Sequence, residues 1–225
     1  MVVNELARIG RPPGRGLILL AGATGNGKTT TLSSLLQEYL LAFGNVAITI
    51  EDPPELKLAG SYPPSGRCFQ HRVVDGDFAT PLRLALRQHP RYLMLGEIRD
   101  PNAATEALHA ANSGHVVLAT IHGGSIEEAL IAIQKLVASK LDPDLARNLL
   151  ATGLAAIMHQ QLLRGKNAQG LVERRVKLQT LFVGGDMGTR SKIREGKTQL
   201  IRNEIEQQAN RMARSLRPVD TEYKD

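Results

Sequence analysis

The sequence predicts an α/β protein built on a mainly parallel sheet, and three observations support this fold class. Short apolar or β-branched runs alternate with longer segments of helical periodicity, which favours parallel strands joined by helical crossovers. A glycine-rich segment, AGATGNGKTTTL at residues 21–32, joins the first apolar run to the first helical segment. Hydrophobic residues make up 42% of the 225-residue chain, which is enough to bury a sizeable core.

The predicted strands are short runs of apolar and β-branched residues, as expected of strands that are buried on both faces. They lie at residues 17–21, 46–50, 92–95 and 116–121, and a longer extended segment is predicted at 172–183. The segment 52–67 contains four prolines and is therefore predicted to be a loop.

Capping signals predict where several helices begin. Asp100 and Asp142 each precede a proline, which places a capping carboxylate before a residue suited to the first helical position. Ser125 and Glu128 have the spacing of a capping box. The predicted helices are 29–43, 78–88, 101–112, one that starts at 125, 143–158, 186–195 and 200–214.

A turn-rich break, GKNAQG at residues 165–170, predicts a domain boundary near residue 164. We expect a linker at 1–16, an α/β domain at 17–164 and a basic, mostly helical region at 165–225. The alternative is that this tail packs as part of the same domain. Residues 166–225 hold 13 Lys and Arg against 8 Asp and Glu, whereas residues 1–165 hold 15 against 14. Such a tail suits nucleic acid, acidic lipid or an acidic protein surface, although a solvated helix face explains the same charge.

Composition argues against several classes of protein. Cys68 is the one cysteine of the chain, so neither an intramolecular disulfide nor a cysteine zinc site is encoded, and a cytoplasmic location is expected. No run approaches the roughly 20 apolar residues of a membrane span, so we expect no transmembrane segment. Aromatic residues make up 4% of the chain, which argues against a stacking platform for single-stranded nucleic acid.

Residues 22–29 match G-x-x-x-x-G-K-[ST], the phosphate-binding P-loop, between a predicted strand and a predicted helix. Glycines let backbone N–H groups curl around phosphate oxygens, and the helix N-terminus adds partial positive charge. We expect Lys28 to reach the β- and γ-phosphates and the Thr29 hydroxyl to ligate Mg²⁺. The predicted nucleotide-binding residues are Gly22, Ala23, Thr24, Gly25, Asn26, Gly27, Lys28, Thr29 and Thr30.

Polar side chains follow three other predicted strands at the points where those strands end. Glu51 and Asp52 come after the second strand, Glu97 comes after the third, and His122 follows the fourth. Ligands of parallel sheets bind at the carboxyl ends of the strands. We therefore predict that these side chains form a catalytic rim beside the P-loop.

Four segments resemble, in the same order, the motifs of the secretion and type IV pilus traffic ATPases. The P-loop is similar to their Walker A motif and ITIEDPPE at 48–55 to their Asp box. LGEIRD at 95–100 resembles an atypical Walker B motif with glutamate, and SGHVVLATIH at 113–122 resembles their His box. The resemblance implies a RecA-like P-loop NTPase core that hydrolyses ATP in the presence of Mg²⁺.

The resemblance also implies roles for individual residues. Glu51 is similar to the glutamate that polarises the attacking water, and Glu97 to the Walker B residue that holds Mg²⁺ through water. His122 is similar to the residue that contacts the γ-phosphate, and Lys28 completes this implied catalytic set. The implied supporting residues are His115, the upstream partner of His122, Arg99 after the Walker B glutamate, and the paired arginines Arg83 and Arg87.

The tail extends the resemblance. GTRSKIREGKTQLI at 188–201 is similar to AIRNLIREGKTHQI of the pilus retraction ATPases, and its implied output residues are Arg190, Ile193, Arg194 and Glu195. The sequence lacks the four-cysteine zinc module of the extension and type II secretion ATPases, which favours the retraction branch or its relatives in conjugation and type IVB secretion. Members carry a second α/β domain ahead of the P-loop domain, where this sequence has the 16 residues of the predicted linker.

The resemblance implies a motor ATPase that works as a ring, a homohexamer, and powers pilus retraction, secretion or conjugation. The expected partners are copies of the chain and an inner-membrane platform or secretion-machine protein, which would make it peripheral at the inner membrane; no direct contact with nucleic acid is expected. Two alternatives stay open. One is a nucleic-acid-dependent P-loop ATPase, which the basic tail favours, and the other is a nucleotide-binding docking module that does not hydrolyse ATP.

Overall fold

An eight-stranded sheet runs through the part of the chain that the computed structural model describes, residues 2–166 and 172–215. Its strands are β1 Gly16–Ala21, β2 Asn45–Glu51, β3 Gly60–Tyr62, β4 Gly66–Arg72, β5 Tyr92–Leu95, β6 Val116–Ile121, β7 Leu154–Lys166 and β8 Val172–Phe182. The strand order is β3-β4-β2-β5-β6-β1-β7-β8. The six strands from β4 to β7 pair in parallel, whereas β3 and β8 pair antiparallel at the two edges.

Helices cover both faces of this sheet. They are α1 Val2–Gly10, α2 Lys28–Phe43, α3 Ala79–Leu86, α4 Pro101–Asn112, α5 Ile126–Ala138, α6 Pro143–Gly153, α7 Met187–Arg194 and α8 Ile201–Ser215, with a short 3₁₀ helix at Thr198–Leu200. Alternate residues of β1 belong to different cores: Leu17 and Leu19 pack with α4 to α6, and Ile18 and Leu20 pack with α1 and α2. This alternation follows from the two-residue period of a strand and confirms the predicted α/β class.

The three predicted N-cap residues cap their helices, although the Glu128 side chain of the predicted capping box accepts from the Gly124 N–H and not from that of Ser125. The Asp100 carboxylate accepts hydrogen bonds from the backbone N–H groups of Asn102 and Ala103, at 2.8 and 2.9 Å. Asp142 caps α6 in the same way, and the Ser125 hydroxyl accepts from the N–H of Glu128. Each bond satisfies a first-turn donor that the helix itself leaves unpaired.

Residues 2–10 form a helix, which differs from the expected linker at 1–16. Val2, Leu6 and Ile9 are spaced so that they share one face of α1, and Ile9 is buried. Two tyrosines hold the helix: Tyr39 donates to Leu6 O at 2.6 Å, and Tyr92 donates to Gly10 O at 3.0 Å. The glycines and prolines of the following turn dominated the linker prediction and concealed this short amphipathic segment.

The predicted helix 143–158 is wrong in its last five residues, because α6 ends at Gly153 and β7 begins at Leu154. The run LAAIM at 154–158 is apolar on every side, so its periodicity suits a buried helix and a buried strand equally well. Parallel pairing with β1 decides for the strand. The predicted loop 52–67 likewise contains β3 and the start of β4.

The β7 strand crosses residue 164, where the sequence predicted a domain boundary. It pairs antiparallel with β8 from Ala156↔Phe182 to Lys166↔Val172, so the extended segment of the tail continues the same sheet. Beyond β8, residues 187–194 and 201–215 are helical, which agrees with the predicted helices 186–195 and 200–214. None of the helices in residues 2–166 and 172–215 is long and apolar enough to cross a membrane.

Substitution of Gly10 tests the packing of α1. A Cβ at this position would lie 2.3 Å from Cε1 of Tyr39, so Gly10→Ala should lower the free energy of unfolding by about 1–3 kcal/mol through overpacking. Chemical denaturation measures the change. Gly165→Ala is the matched control, because its added Cβ meets no atom of residues 2–166 and 172–215 within 4 Å. An unchanged unfolding midpoint for Gly10→Ala would show that α1 does not pack on Tyr39.

Candidate nucleotide site

A cavity of about 340 Å³ opens at the carboxyl ends of the parallel strands β1, β2, β5 and β6. The P-loop and the start of α2 form one side of it, and the carboxyl ends of β2 and β6, the segments that follow β2, β5 and β6, and Phe78 form the rest. The lining residues are Thr24, Gly25, Gly27, Lys28, Thr29, Thr30, Glu51, Asp52, Pro53, Glu55, Phe78, Gly96, Glu97, Arg99, Thr120 and His122. The catalytic rim predicted from the sequence therefore meets the P-loop in one place.

The P-loop backbone requires glycine at two kinds of position. Gly25 and Gly27 have φ of +79° and +75°, in the left-handed region that other residues rarely adopt. Gly22 lies against the neighbouring strand, since a Cβ there would be 2.5 Å from the Gln160 carbonyl oxygen. Gly27 is also the N-cap of α2 and offers no side chain to the first-turn N–H groups. These N–H groups form a donor set suited to an anion.

Lys28 turns back onto the loop that precedes it. Its Nζ donates to the carbonyl oxygens of Gly22 at 2.8 Å and Ala23 at 3.1 Å, and the residue is only 9% exposed. Burial lowers the pKa of Lys28, while the nearby Glu97 carboxylate acts in the opposite direction. The ammonium group is thus placed among the P-loop donors, at the wall of the cavity.

Glu51, the last residue of β2, is 2% exposed and lines the cavity. Its Oε1 atom accepts hydrogen bonds from the Thr49 hydroxyl at 2.7 Å and from Nε2 of Gln70 at 2.8 Å. Thr49 precedes it by two residues on the same face of β2, and Gln70 is the register partner of Thr49 on β4. The buried carboxylate is therefore supported by neighbours from two strands.

Glu97, Arg99, His122 and Thr24 form a chain of polar contacts across the cavity. Arg99 donates to Oε2 of Glu97 through Nε at 2.8 Å, and this bond raises the pKa of Arg99. The other carboxylate oxygen, Oε1, lies 3.6 Å from Nε2 of His122. The same His122 nitrogen lies 3.2 Å from the Thr24 hydroxyl in the P-loop. His122 thus contacts both the P-loop and Glu97.

Three of the predicted supporting residues lie away from the cavity. His115 precedes β6, whereas His122 follows it, and six strand residues separate the two by roughly 20 Å. The Nδ1 atom of His115 lies 2.6 Å from Pro90 O, at the amino-terminal ends of the parallel strands, opposite the cavity. Arg83 pairs with Glu106 of α4 at 3.4 Å, and Arg87 is the exposed C-cap residue of α3. Arg99 is the supporting residue that lines the cavity.

The predicted output residues lie on or beside α7, outside the cavity lining. Ile193 is buried in the core that includes α6, and Arg190 is half-buried. Glu195 accepts a hydrogen bond from the Ser191 hydroxyl at 2.6 Å and pairs with Lys197. Arg194 is exposed.

Gln160 of β7 fastens the P-loop to the sheet, a contact that the sequence motifs did not reveal. Its Oε1 accepts from the Thr31 hydroxyl at 2.8 Å, and its Nε2 donates to Asn26 O at 2.6 Å. Asn26 Oδ1 in turn accepts from the N–H of Leu162 at 2.9 Å. Gln160 could be identified only once residues 154–166 were known to form a strand beside β1.

The donor set of the cavity fits a magnesium nucleotide. Uncapped helix N–H groups and the Lys28 ammonium suit phosphate oxygens, and the Thr29 hydroxyl with the Glu97 carboxylate offers the hard oxygen ligands that Mg²⁺ prefers. No cluster of three His, Cys, Asp or Glu side chains in residues 2–166 and 172–215 is arranged to hold a metal by itself. A magnesium ion here would take its other ligands from phosphate and water.

Comparison with known proteins agrees with the motifs. A family profile described as "Type II/IV secretion system protein" matches residues 5–218. The chain is 39% identical over 190 residues to the uncharacterized protein YggR of Escherichia coli K12, covering 81% of this chain and 54% of that protein. It is 41% identical over 156 residues to type II secretion system protein E of Klebsiella pneumoniae, covering 69% of this chain and 29% of that protein.

The fold is similar to that of the pilus retraction motor PilT, whose crystal structure contains bound ADP. The TM-score is 0.77 at 31% sequence identity, and the match covers 89% of this chain and 55% of that one. The chain spans about half of YggR and of the PilT chain, and less than a third of the Klebsiella protein. The motifs, the family profile and the RecA-like fold agree, and the chain belongs to the type II/IV secretion system protein family.

Proposed function

We propose that the chain binds Mg²⁺–ATP and hydrolyses it to ADP and phosphate as the motor domain of a secretion or type IV pilus machine. One observation carries this proposal: Lys28, Glu51, Glu97 and His122 come from separate elements and converge on a single cavity beside the P-loop. Family membership and the ADP bound to the similar PilT structure support it further. Phosphoryl transfer depends chiefly on positioning and charge neutralisation, and the polar side chains that line the cavity can provide both.

The P-loop and Lys28 bind the phosphates in this mechanism. The first turn of α2 lines the cavity at a helix terminus without a side-chain cap, where free N–H groups and the helix dipole favour negative charge. Lys28 exchanges its bonds to Gly22 O and Ala23 O for the β- and γ-phosphate oxygens. Gln160 keeps the loop in place during this exchange through Thr31 and Asn26.

Glu51 orients the attacking water. Its carboxylate is held by Thr49 and Gln70 and faces the same cavity as the phosphate donors. The Thr29 hydroxyl and Glu97, the latter through water, would hold Mg²⁺, which would supply positive charge to neutralise the phosphates. His122 contacts the γ-phosphate end and, through Glu97 and Thr24, connects it to Arg99 and to the P-loop.

We further propose that the mechanical output is motion between subunits of a ring, a homohexamer, in which Arg190, Ile193, Arg194 and Glu195 of the tail take part. The partners are copies of the chain and an inner-membrane platform or secretion-machine protein, so the protein works in the cytoplasm at the inner membrane. The work done is pilus retraction, secretion or conjugation. The names of the relatives, a type II secretion protein and a pilus retraction motor, support this assignment.

Lys28→Ala should abolish ATP hydrolysis and weaken nucleotide binding, because the phosphates lose their buried cation. Phosphate release and binding of a fluorescent ATP analogue measure the two effects. Lys140→Ala, which removes an exposed lysine after α5, is the matched control and should behave as the unmodified chain. Equal phosphate release from the Lys28→Ala and unmodified proteins would refute hydrolysis at this site.

Glu51→Gln should keep nucleotide binding and lose hydrolysis by about 10²-fold or more, because the amide orients water poorly and accepts no proton. Steady-state phosphate release and the dissociation constant of Mg²⁺–ATP separate the two properties. Turnover at the unmodified rate would remove Glu51 from the mechanism. Binding without hydrolysis by the unmodified chain would instead favour the nucleotide-binding docking module.

Ring assembly predicts that specific ATPase activity rises with protein concentration. Phosphate release measured across a concentration series, beside sedimentation velocity of the same samples, should show activity and oligomer appearing together. Activity that stays constant from dilute monomer to concentrated sample would contradict the ring. ATPase activity that DNA stimulates and that salt steeply suppresses would favour the nucleic-acid-dependent alternative.

A further inference from the structure

Gln70 of β4 is a half-buried side chain that the proposed mechanism has so far used only as a neighbour of Glu51. Its amide is engaged on both sides. Nε2 donates to Oε1 of Glu51 at 2.8 Å and to Leu56 O at 2.8 Å, and Oε1 accepts from the Leu58 N–H at 3.2 Å. Both amide hydrogens and the amide oxygen are therefore in use.

The partners of Gln70 determine how its amide is oriented. The Leu58 N–H can only donate, so it faces the amide oxygen, and the Leu56 carbonyl can only accept, so it faces the amide nitrogen. In this orientation the second N–H of the amide points at Glu51. The backbone of residues 56–58 thus fixes the donor that the carboxylate receives.

The two hydrogen bonds to Glu51 both end on Oε1. Among the contacts within residues 2–166 and 172–215, Oε2 accepts none, and it is not among the polar atoms sealed from solvent without a partner. Because Glu51 lines the cavity, Oε2 is the oxygen open to it. Anchoring one oxygen of a carboxylate fixes the direction of the other.

We propose that Gln70 is a positioning residue for ATP hydrolysis: it holds Oε1 of Glu51 so that Oε2 faces the attacking water, and it ties that orientation to the segment 56–58. The proposal rests on the proposed function of Glu51. Asp52, Pro53 and Glu55, which lead into this segment, line the same cavity. A displacement of this segment would therefore move the Gln70 amide and, with it, the Glu51 carboxylate.

The contacts predict a specific kinetic effect. Gln70→Met preserves the length of the side chain and removes its donors, so kcat should fall by about 10- to 100-fold, the range expected when a reacting group is misplaced by about an ångström. KM and the dissociation constant of Mg²⁺–ATP should change by less than about twofold, because the phosphate donors are untouched. Gln70→Glu should be at least as slow, because it places a second carboxylate against Glu51.

Gln88→Glu is the control for the charge change, since Gln88 is an exposed residue after α3, and it should retain the unmodified kcat. A double-mutant cycle distinguishes positioning from general damage. If Gln70 acts through Glu51, Gln70→Met should alter the residual rate of Glu51→Gln by less than about twofold.

Amide hydrogen exchange provides a readout that does not depend on turnover. Gln70→Met removes the acceptor of the Leu58 N–H, so this buried amide should exchange faster than in the unmodified chain. Gln70→Glu keeps an acceptor oxygen at this position and should preserve more of the protection. Equal Leu58 protection in the unmodified and Gln70→Met proteins would overturn the tie to segment 56–58.

The outcomes separate the two proposals. Phosphate release by the unmodified chain no faster than that of Lys28→Ala would refute the proposed function, and the role of Gln70 with it. An active unmodified chain with an equally active Gln70→Met would overturn the role of Gln70 alone, as would losses from Gln70→Met and Glu51→Gln that multiply. If Gln70→Met fails to fold, Gln70→Glu compared with Gln88→Glu decides the same question.

Discussion

The parallel pairing of β1 with β6 on one side and β7 on the other determines where the phosphate-binding loop lies. Ala21, the last residue of β1, stands opposite Ile121 and His159, so the chain leaves the strand between two neighbours. The loop passes Gln160 so closely that a side chain at Gly22 would meet its carbonyl oxygen. The Gln160 side chain then holds the loop through a hydrogen bond to Asn26 O and the first turn of α2 through one from the Thr31 hydroxyl. The geometry of the P-loop thus depends on β7 as much as on its own glycines.

The same parallel arrangement brings acidic side chains together at the carboxyl ends of the strands. Removing these carboxylates from water costs free energy unless they find partners. An ionised carboxylate removed from water needs hydrogen bonds or an opposite charge. Glu51 obtains two donors from Thr49 and Gln70, and Glu97 obtains the guanidinium of Arg99. Each carboxylate is therefore held in one orientation by the contacts that permit its burial. The hydrogen bonds that stabilise these carboxylates in the folded protein therefore also orient them for the proposed reaction.

Much of the fold follows from local sequence, and the failures have identifiable causes. The strands β1, β2, β5 and β6 were predictable because each is a short apolar run between turn signals, and α4 and α6 begin where Asp–Pro pairs cap them. The β7 strand was missed because its first residues, LAAIM, suit a helix as well. Without β7, the contact of Gln160 with the P-loop could not be predicted either. His115 lies near His122 in the motif, yet the two residues flank β6 and therefore lie at opposite ends of this strand.

By itself the sequence determined the α/β class, the P-loop and the polar residues that end β2, β5 and β6, because each of these depends on spacing along a continuous stretch of chain. Only the tertiary structure decided which side chains support them. The Glu51–Gln70 bond joins residues 19 apart, and the Thr31–Gln160 bond joins residues 129 apart. Such contacts depend on strand order and register, which arise when the whole core packs together and leave no periodic signal in the sequence.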